Sequence, residues 1–126
     1  MISLNEMEEI LDEIATEFPQ EFYRELNGGI ILLPDTKFNN ISEKNFLYIL
    51  GEYHRSSNMG RYISIYYGSF IRLYGHLDRN AFKERLRQTL KHEFTHHMES
   101  LAGERELEKK DTRYIENYLR RINRNS

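Results

Sequence analysis

The chain has no cysteine and no tryptophan, only two prolines, no long apolar run and no real excess of either charge. Each absence excludes something. Without cysteine neither disulfides nor thiolate metal sites can form, so any metal must be held by nitrogen and oxygen. Lys and Arg total 18 against 20 Asp and Glu, a net charge of −2 that gives no global pull toward nucleic acid or an anionic membrane. No apolar stretch approaches the length of a membrane span, and the acidic start (Glu6, Glu8, Glu9, Asp12, Glu13) is unlike a signal peptide, so a cytoplasmic location is expected. What is present describes an ordinary folded domain, 39% apolar and 30% charged. At 126 residues it is one domain, 1–126, with room for one core and little for a separate substrate-binding module. No internal repeat or interdomain linker interrupts it.

The chemistry concentrates in His92-Glu93-Phe94-Thr95-His96. Residues four apart on a helix lie one above the other, so His92 and His96 can close on one ion from adjacent turns and leave Glu93 beside it. Two imidazoles with a carboxylate next to the first are the means by which zinc hydrolases hold Zn²⁺ and keep a base at its water. The pattern carries this meaning only on a helix. Phe82, Leu86, Leu90, Phe94 and Met98 recur at four-residue steps and Leu101 closes the series, which traces an apolar stripe over 78–101. Asp78 or Asn80 can cap its start. His92, His96, Thr89 and Glu99 fall off the stripe, toward a cleft. His97 falls within it and is expected to be buried and hydrogen-bonded, not a ligand.

Elsewhere the spacing of Met7, Ile10, Leu11, Ile14 and Phe18 predicts an amphipathic helix over 5–18, which Pro19 interrupts. A short helical turn follows and ends at Asn27-Gly28-Gly29. Strands are expected at 30–33, 46–50 and 61–70, the last showing alternation of Ile63, Ile65 and Tyr67 with Tyr62, Ser64 and Tyr66. Residues 36–45 and 51–60 read as polar loops. Gly103 reads as a helix stop, 104–111 as a solvated turn and 112–122 as a last amphipathic helix whose Arg120, Arg121 and Arg124 complement its C-terminus. The fold class is therefore α+β: an N-terminal helix, a short mixed sheet of about three strands, the helix with the His-Glu motif and a C-terminal helix.

A catalytic zinc normally takes three protein ligands. Glu99, Glu104, Glu106 and Asp111 are all chemically acceptable as the third. For the charge that develops on a tetrahedral intermediate, Tyr66, Tyr67, His54 and Arg61 are candidate donors. If the strand beginning at Arg61 runs beside the site, its free edge can pair with an extended peptide.

Leu50-Gly51-Glu52-Tyr53, Ile63-Ser64-Ile65-Tyr66-Tyr67-Gly68 and the run from Arg87 to His97 together resemble the minimal zincin-like metallopeptidases, small soluble H-E-x-x-H proteins, and Phe18-Pro19-x-Glu21-Phe22 is similar too. That family's pattern continues into Gly-x-x-Asp, whose acid is the third ligand. Here Gly103-Glu104-Arg105-Glu106 follows, four residues later and with glutamate for aspartate, so the resemblance implies Glu106. It also implies a compact zincin-like domain with Zn²⁺ on His92, His96 and Glu106. The expected function is that of a zinc metallopeptidase in which Glu93, as general base, acts on a zinc-activated water to cleave a peptide or unfolded-protein substrate. From a different class, a zincin-shaped binding or regulatory protein without turnover is the alternative.

Overall fold

A computed structural model describes the backbone of residues 1–40 and 46–125 and, with few exceptions, the side chains of 1–39 and 47–104. The order of elements is helix α1 (Leu4–Ala15), a 3₁₀ turn (Gln20–Tyr23), strands β1 (Gly29–Leu33), β2 (Lys37–Asn40), β3 (Phe46–Ile49), β4 (Gly51–Ser56) and β5 (Gly60–Tyr66), then helices α2 (Tyr67–Tyr74) and α3 (Arg79–Asn125). Three strands form a mixed sheet in the order β1-β5-β4, with β1 parallel and β4 antiparallel to β5. The α+β class is as expected. No helix among the described residues is long and apolar enough to cross a membrane.

Both long helices follow from their sequences. Ser3 caps α1 by accepting from the Glu6 amide at 3.1 Å, and Met7, Ile10, Leu11 and Ile14 are its buried face. Asp78 caps α3 through the Ala81 amide at 2.8 Å. Phe82, Leu86, Leu90 and Phe94 are essentially without exposure and pack with α1 and with Ile63 and Ile65 of β5. Glu13 of α1 and Glu17 just beyond it pair with Arg79, Lys83 and Arg87 of α3 along the outer edge of this contact. One face of α3 is thus fixed to the core, which leaves the other for chemistry.

Four expectations are corrected. Within 36–45, residues 37–40 are strand β2, which pairs antiparallel with β3 in a separate two-stranded ribbon; 41–45 lie outside the described residues. The stretch 51–60 is not a loop but β4 and a three-residue hairpin turn, with Gly60 at φ 69° as such hairpins require. Its strand character was hidden because polar Glu52 and His54 alternate with Gly51, Tyr53 and Arg55, so neither face looks apolar. The strand expected over 61–70 ends at Tyr66, and Tyr67 to Tyr74 is helical: Tyr67, Phe70, Ile71 and Tyr74 have a helical period that merges with the alternation before it. Gly68 permits the turn into α2, since a Cβ there would meet Thr36 Oγ1 at 2.1 Å while its amide donates to the Asp35 carbonyl at 3.0 Å.

The fourth correction concerns Gly103, where α3 does not stop. The separate turn and last helix are one continuation of α3 to Asn125. A glycine in a helix interior costs roughly 0.5–1 kcal/mol relative to alanine. A Cβ at Gly103 would meet nothing within 4 Å, and Glu104 beyond it is tied to Arg55 and Arg61. Gly103→Ala is therefore expected to raise far-UV helicity and stabilise the protein by about 0.5–1 kcal/mol. A loss of stability in urea unfolding would instead mean that the backbone takes a left-handed turn at this position.

Candidate metal centre

His92 and His96 stand one turn apart on the free face of α3, and their Nε2 atoms lie 3.1 Å from one another with the rings at 89°. Two zinc–nitrogen bonds of about 2.05 Å at a tetrahedral angle set their nitrogens about 3.3 Å apart. The pair therefore matches an ion's geometry before any ion is considered. Glu93 completes the group, and one ligand atom from each of the three residues lies within 4.8 Å of the others. Both imidazoles are exposed, whereas Glu93 is only 5% exposed. Burial raises the Glu93 carboxyl above the ordinary glutamate value despite the opposing charges of His92 and His96. A carboxylate so placed holds a proton more readily than one in water.

The residues around the trio hold it in place. Glu99 Oε2 lies 3.7 Å from Nδ1 of His96, on the side of the ring away from His92. At that distance, and with its side chain largely exposed, Glu99 is a neighbour of the ring and not a hydrogen-bond partner. His97 is fully buried between Tyr53 and Arg24, as the apolar stripe predicted. Burial lowers its pKa, so the ring is neutral: its Nε2–H donates to the Arg24 carbonyl at 2.8 Å and its Nδ1 accepts from the Tyr53 hydroxyl at 2.7 Å. This bond draws β4 against α3 at the level of the metal residues.

Strand β4 runs along α3 in the same direction. Gly51 lies against Thr89, where a Cβ would be 3.3 Å from the threonine methyl; Tyr53 reaches His97, and Arg55 reaches Glu104. The Tyr66 amide donates to the Leu50 carbonyl at 3.0 Å, so even-numbered residues of β4 direct their backbone groups to β5. Gly51, Tyr53 and Arg55 direct theirs outward, and all three line a cavity of about 640 Å³ with Glu93, His96 and Glu99. A second cavity, of about 380 Å³, meets the first at Gly51 and Glu93 and extends past His92 toward Tyr48, Tyr74 and Arg85. Together they make one groove between the outer edge of β4 and α3. The peptide-pairing edge expected on the strand from Arg61 is thus not there: β5 is the middle strand and has both edges occupied. Among the described residues the edges of this sheet are β1 and β4, and the one beside α3 is β4.

The four expected donors are engaged elsewhere. His54 Nε2 lies 2.7 Å from Ser64 Oγ, Ser64 donates to the Tyr66 hydroxyl at 3.1 Å and Tyr66 donates to Glu52 at 2.7 Å. Lys37 also pairs with Glu52. Burial alone would raise the Glu52 carboxyl, but Lys37 and Tyr66 outweigh it and hold it below the usual carboxylate value. The Tyr67 hydroxyl donates to the Ile2 carbonyl at 2.7 Å, and Arg61 clamps Glu104. Glu104 is accordingly taken up by two arginines, which hold its pKa low. The side chains of Glu106 and Asp111 lie outside the described residues. On an uninterrupted helix the backbone of residue 106 stands ten residues beyond His96, about 15 Å along the axis, so a ligand there would require α3 to open at Gly103. Among the described residues no third imidazole or separate carboxylate joins the pair.

Sequence reasoning did not find the outward groups of β4 or Arg85. The first needed the strand pairing; the second had a signal, since Arg85 precedes His92 by seven residues and shares its side of the helix.

No protein-family model and no curated protein sequence matches the chain. Among solved structures it is similar to a conserved hypothetical protein from Thermo thermophilus, with 32% sequence identity over 80% of this chain and 98% of that one and a TM-score of 0.67.

Proposed function

We propose that this chain, which belongs to the same family as the Thermo thermophilus protein, is a zinc-dependent metallopeptidase of zincin-like fold that acts in the cytoplasm on short or unfolded peptides. The observation that carries the reading is the pair of imidazole nitrogens 3.1 Å apart, with the Glu93 carboxylate beside them, in a groove bounded by an unpaired strand edge. The resemblance of residues 50–53, 63–68 and 87–97 to the minimal zincin-like metallopeptidases supports it.

His92 and His96 would hold Zn²⁺ through Nε2. Bound zinc supplies a Lewis acid and brings the pKa of a coordinated water toward neutrality. The protein's own groups do the rest. The outward amides and carbonyls of Gly51, Tyr53 and Arg55 pair with an extended peptide and align it over Glu93. Glu93 takes a proton at its carboxylate and returns it to the leaving amine, a task suited to a carboxyl whose basicity is raised by burial. Only an extended chain can pair with a strand edge, which favours unfolded over folded substrates.

One observation favours a second reading, a metal-holding or binding protein without turnover: the described residues supply two histidines but no third ligand apart from Glu93 itself. Protein purified without added zinc is expected to carry one equivalent and to cleave a library of unstructured peptides with loss of activity on chelation and recovery on zinc addition. Stoichiometric zinc without cleavage would favour the binding reading, and absence of zinc affinity would end both.

A further inference from the structure

Arg85 is an unusual cation on α3. Arg79, Lys83 and Arg87, on neighbouring turns, all pair with Glu13 of α1 or Glu17 just beyond its end. Arg85 faces the opposite way and pairs with no carboxylate among the described residues. Its guanidinium carbon lies instead 5.2 Å from the centroid of the Tyr74 ring, an aromatic face that fixes a planar cation without neutralising it. Arg85 and Tyr74 line the cavity of about 380 Å³ that opens from Gly51, His92 and Glu93, and the rest of its wall includes Tyr48, Ile49 and Leu50. Gln88 and Thr89 add polar groups to the same wall, and Arg85 is exposed at its mouth. A partly apolar pocket with one cation held over a ring and facing no carboxylate among the described residues selects a ligand by an anion.

The spacing places that anion relative to the reactive centre. Seven residues separate Arg85 from His92, within about 20° of two full turns and about 10.5 Å along the axis. An extended peptide advances about 3.3 Å per residue, so the distance corresponds to about three residues. β4 runs from Gly51 near Thr89 to Arg55 near Glu104. Antiparallel pairing, the commoner kind, would carry a peptide the other way, with its C-terminal part entering the Arg85 pocket.

We infer that Arg85, laid on Tyr74, is a specificity-determining residue that receives a carboxylate two to three residues to the C-terminal side of the cleaved bond. Two sources supply that group, the free C-terminus of a short peptide and an Asp or Glu side chain. The inference rests on the peptidase reading for the position of the cleaved bond, but the carboxylate preference is a binding property and can be measured without turnover.

The test uses one unstructured peptide sequence made with Gln or Glu at each of three positions after the cleaved bond, ending in an amide or a free acid. The zinc-loaded full chain is expected to favour carboxylate-bearing peptides about five- to tenfold in kcat/KM, a value between those of an exposed ion pair and a charge-assisted hydrogen bond. Arg85→Gln should bring the ratio close to one and Arg85→Lys should restore much of it. The amide and free-acid arms separate the two sources. In parallel, the Kd of labelled peptides is measured on zinc-loaded Glu93→Gln with and without Arg85→Gln. If the chain cleaves nothing but Glu93→Gln still binds carboxylate peptides in an Arg85-dependent way, the peptidase reading fails and the Arg85 assignment stands. Peptide binding or cleavage without a carboxylate preference, a preference that survives Arg85→Gln, or no peptide binding at all overturns it.

Discussion

Glu93→Gln is expected to lower peptide hydrolysis by about 10²- to 10⁴-fold while the protein keeps its zinc and its fold. Glutamine preserves the shape and removes only the capacity to take and return a proton. It should not unfold the helix, because the carboxylate is buried and its charge is a cost to the folded state: a folded pKa raised above the unfolded value means that stability increases as pH falls through it. Removing that charge is expected to leave stability at neutral pH unchanged or slightly higher. Turnover of a fluorogenic peptide, zinc content after dialysis and the thermal midpoint check the three parts separately. Hydrolysis within tenfold of the parent would remove Glu93 from the base role. Loss of zinc in the variant would make Glu93 a ligand, and the count of donors at His92 and His96 would then rise to three.

The site was legible in the sequence to the extent that it is local. His92, Glu93 and His96 lie within five residues, and α-helical geometry alone brings their side chains together once the stripe from Phe82 to Leu101 establishes the helix. His97 was legible for the same reason, as a polar residue on the apolar side that must find partners. What was not legible depends on pairing between distant segments. β4 is recognisable only through its register with β5, because its own residues have no apolar face. The same gap put the open edge on the wrong strand: β5 carries the clearest strand signal in the chain, but it is the central strand, with Ile63, Ser64, Ile65 and Tyr66 all buried. The strongest strand signal thus marked the strand least able to receive a substrate.

Gly103 misled for a different reason. Local propensity at one glycine is worth less than about 1 kcal/mol, and the ties from Glu104 to Arg55 and Arg61 begin on the next residue. Tertiary contact can carry the helix through such a residue. The consequence reaches the metal centre, since a straight α3 takes Glu104 to the far end of β4 and carries the backbone at 106 away from His96.

Phe94→Ala is expected to cost about 3–5 kcal/mol of stability, the largest loss from any truncation next to the site. Phe94 follows Glu93 directly but points the other way, 1% exposed, with ring centroids of Phe18, Tyr23 and Phe22 at 5.0, 5.0 and 5.6 Å. Those three rings come from the segment after α1, so a single side chain joins the N-terminal part of the chain to the helix that bears the metal residues. Alanine leaves a cavity among rings anchored separately by α1 and by the 3₁₀ turn, which therefore cannot all collapse into it. Urea unfolding of the metal-free protein is the proper measurement, because zinc bound to the native state alone would add its own stabilisation. At this chain length the thermal midpoint should fall by roughly 10–20 °C. Below the midpoint the imidazole pair is set by the helix backbone, so zinc affinity is expected to change by less than about tenfold. A loss under about 1 kcal/mol would mean that Phe94 is not enclosed by these rings, and the docking of α3 would have to be redrawn together with the direction in which Glu93 faces.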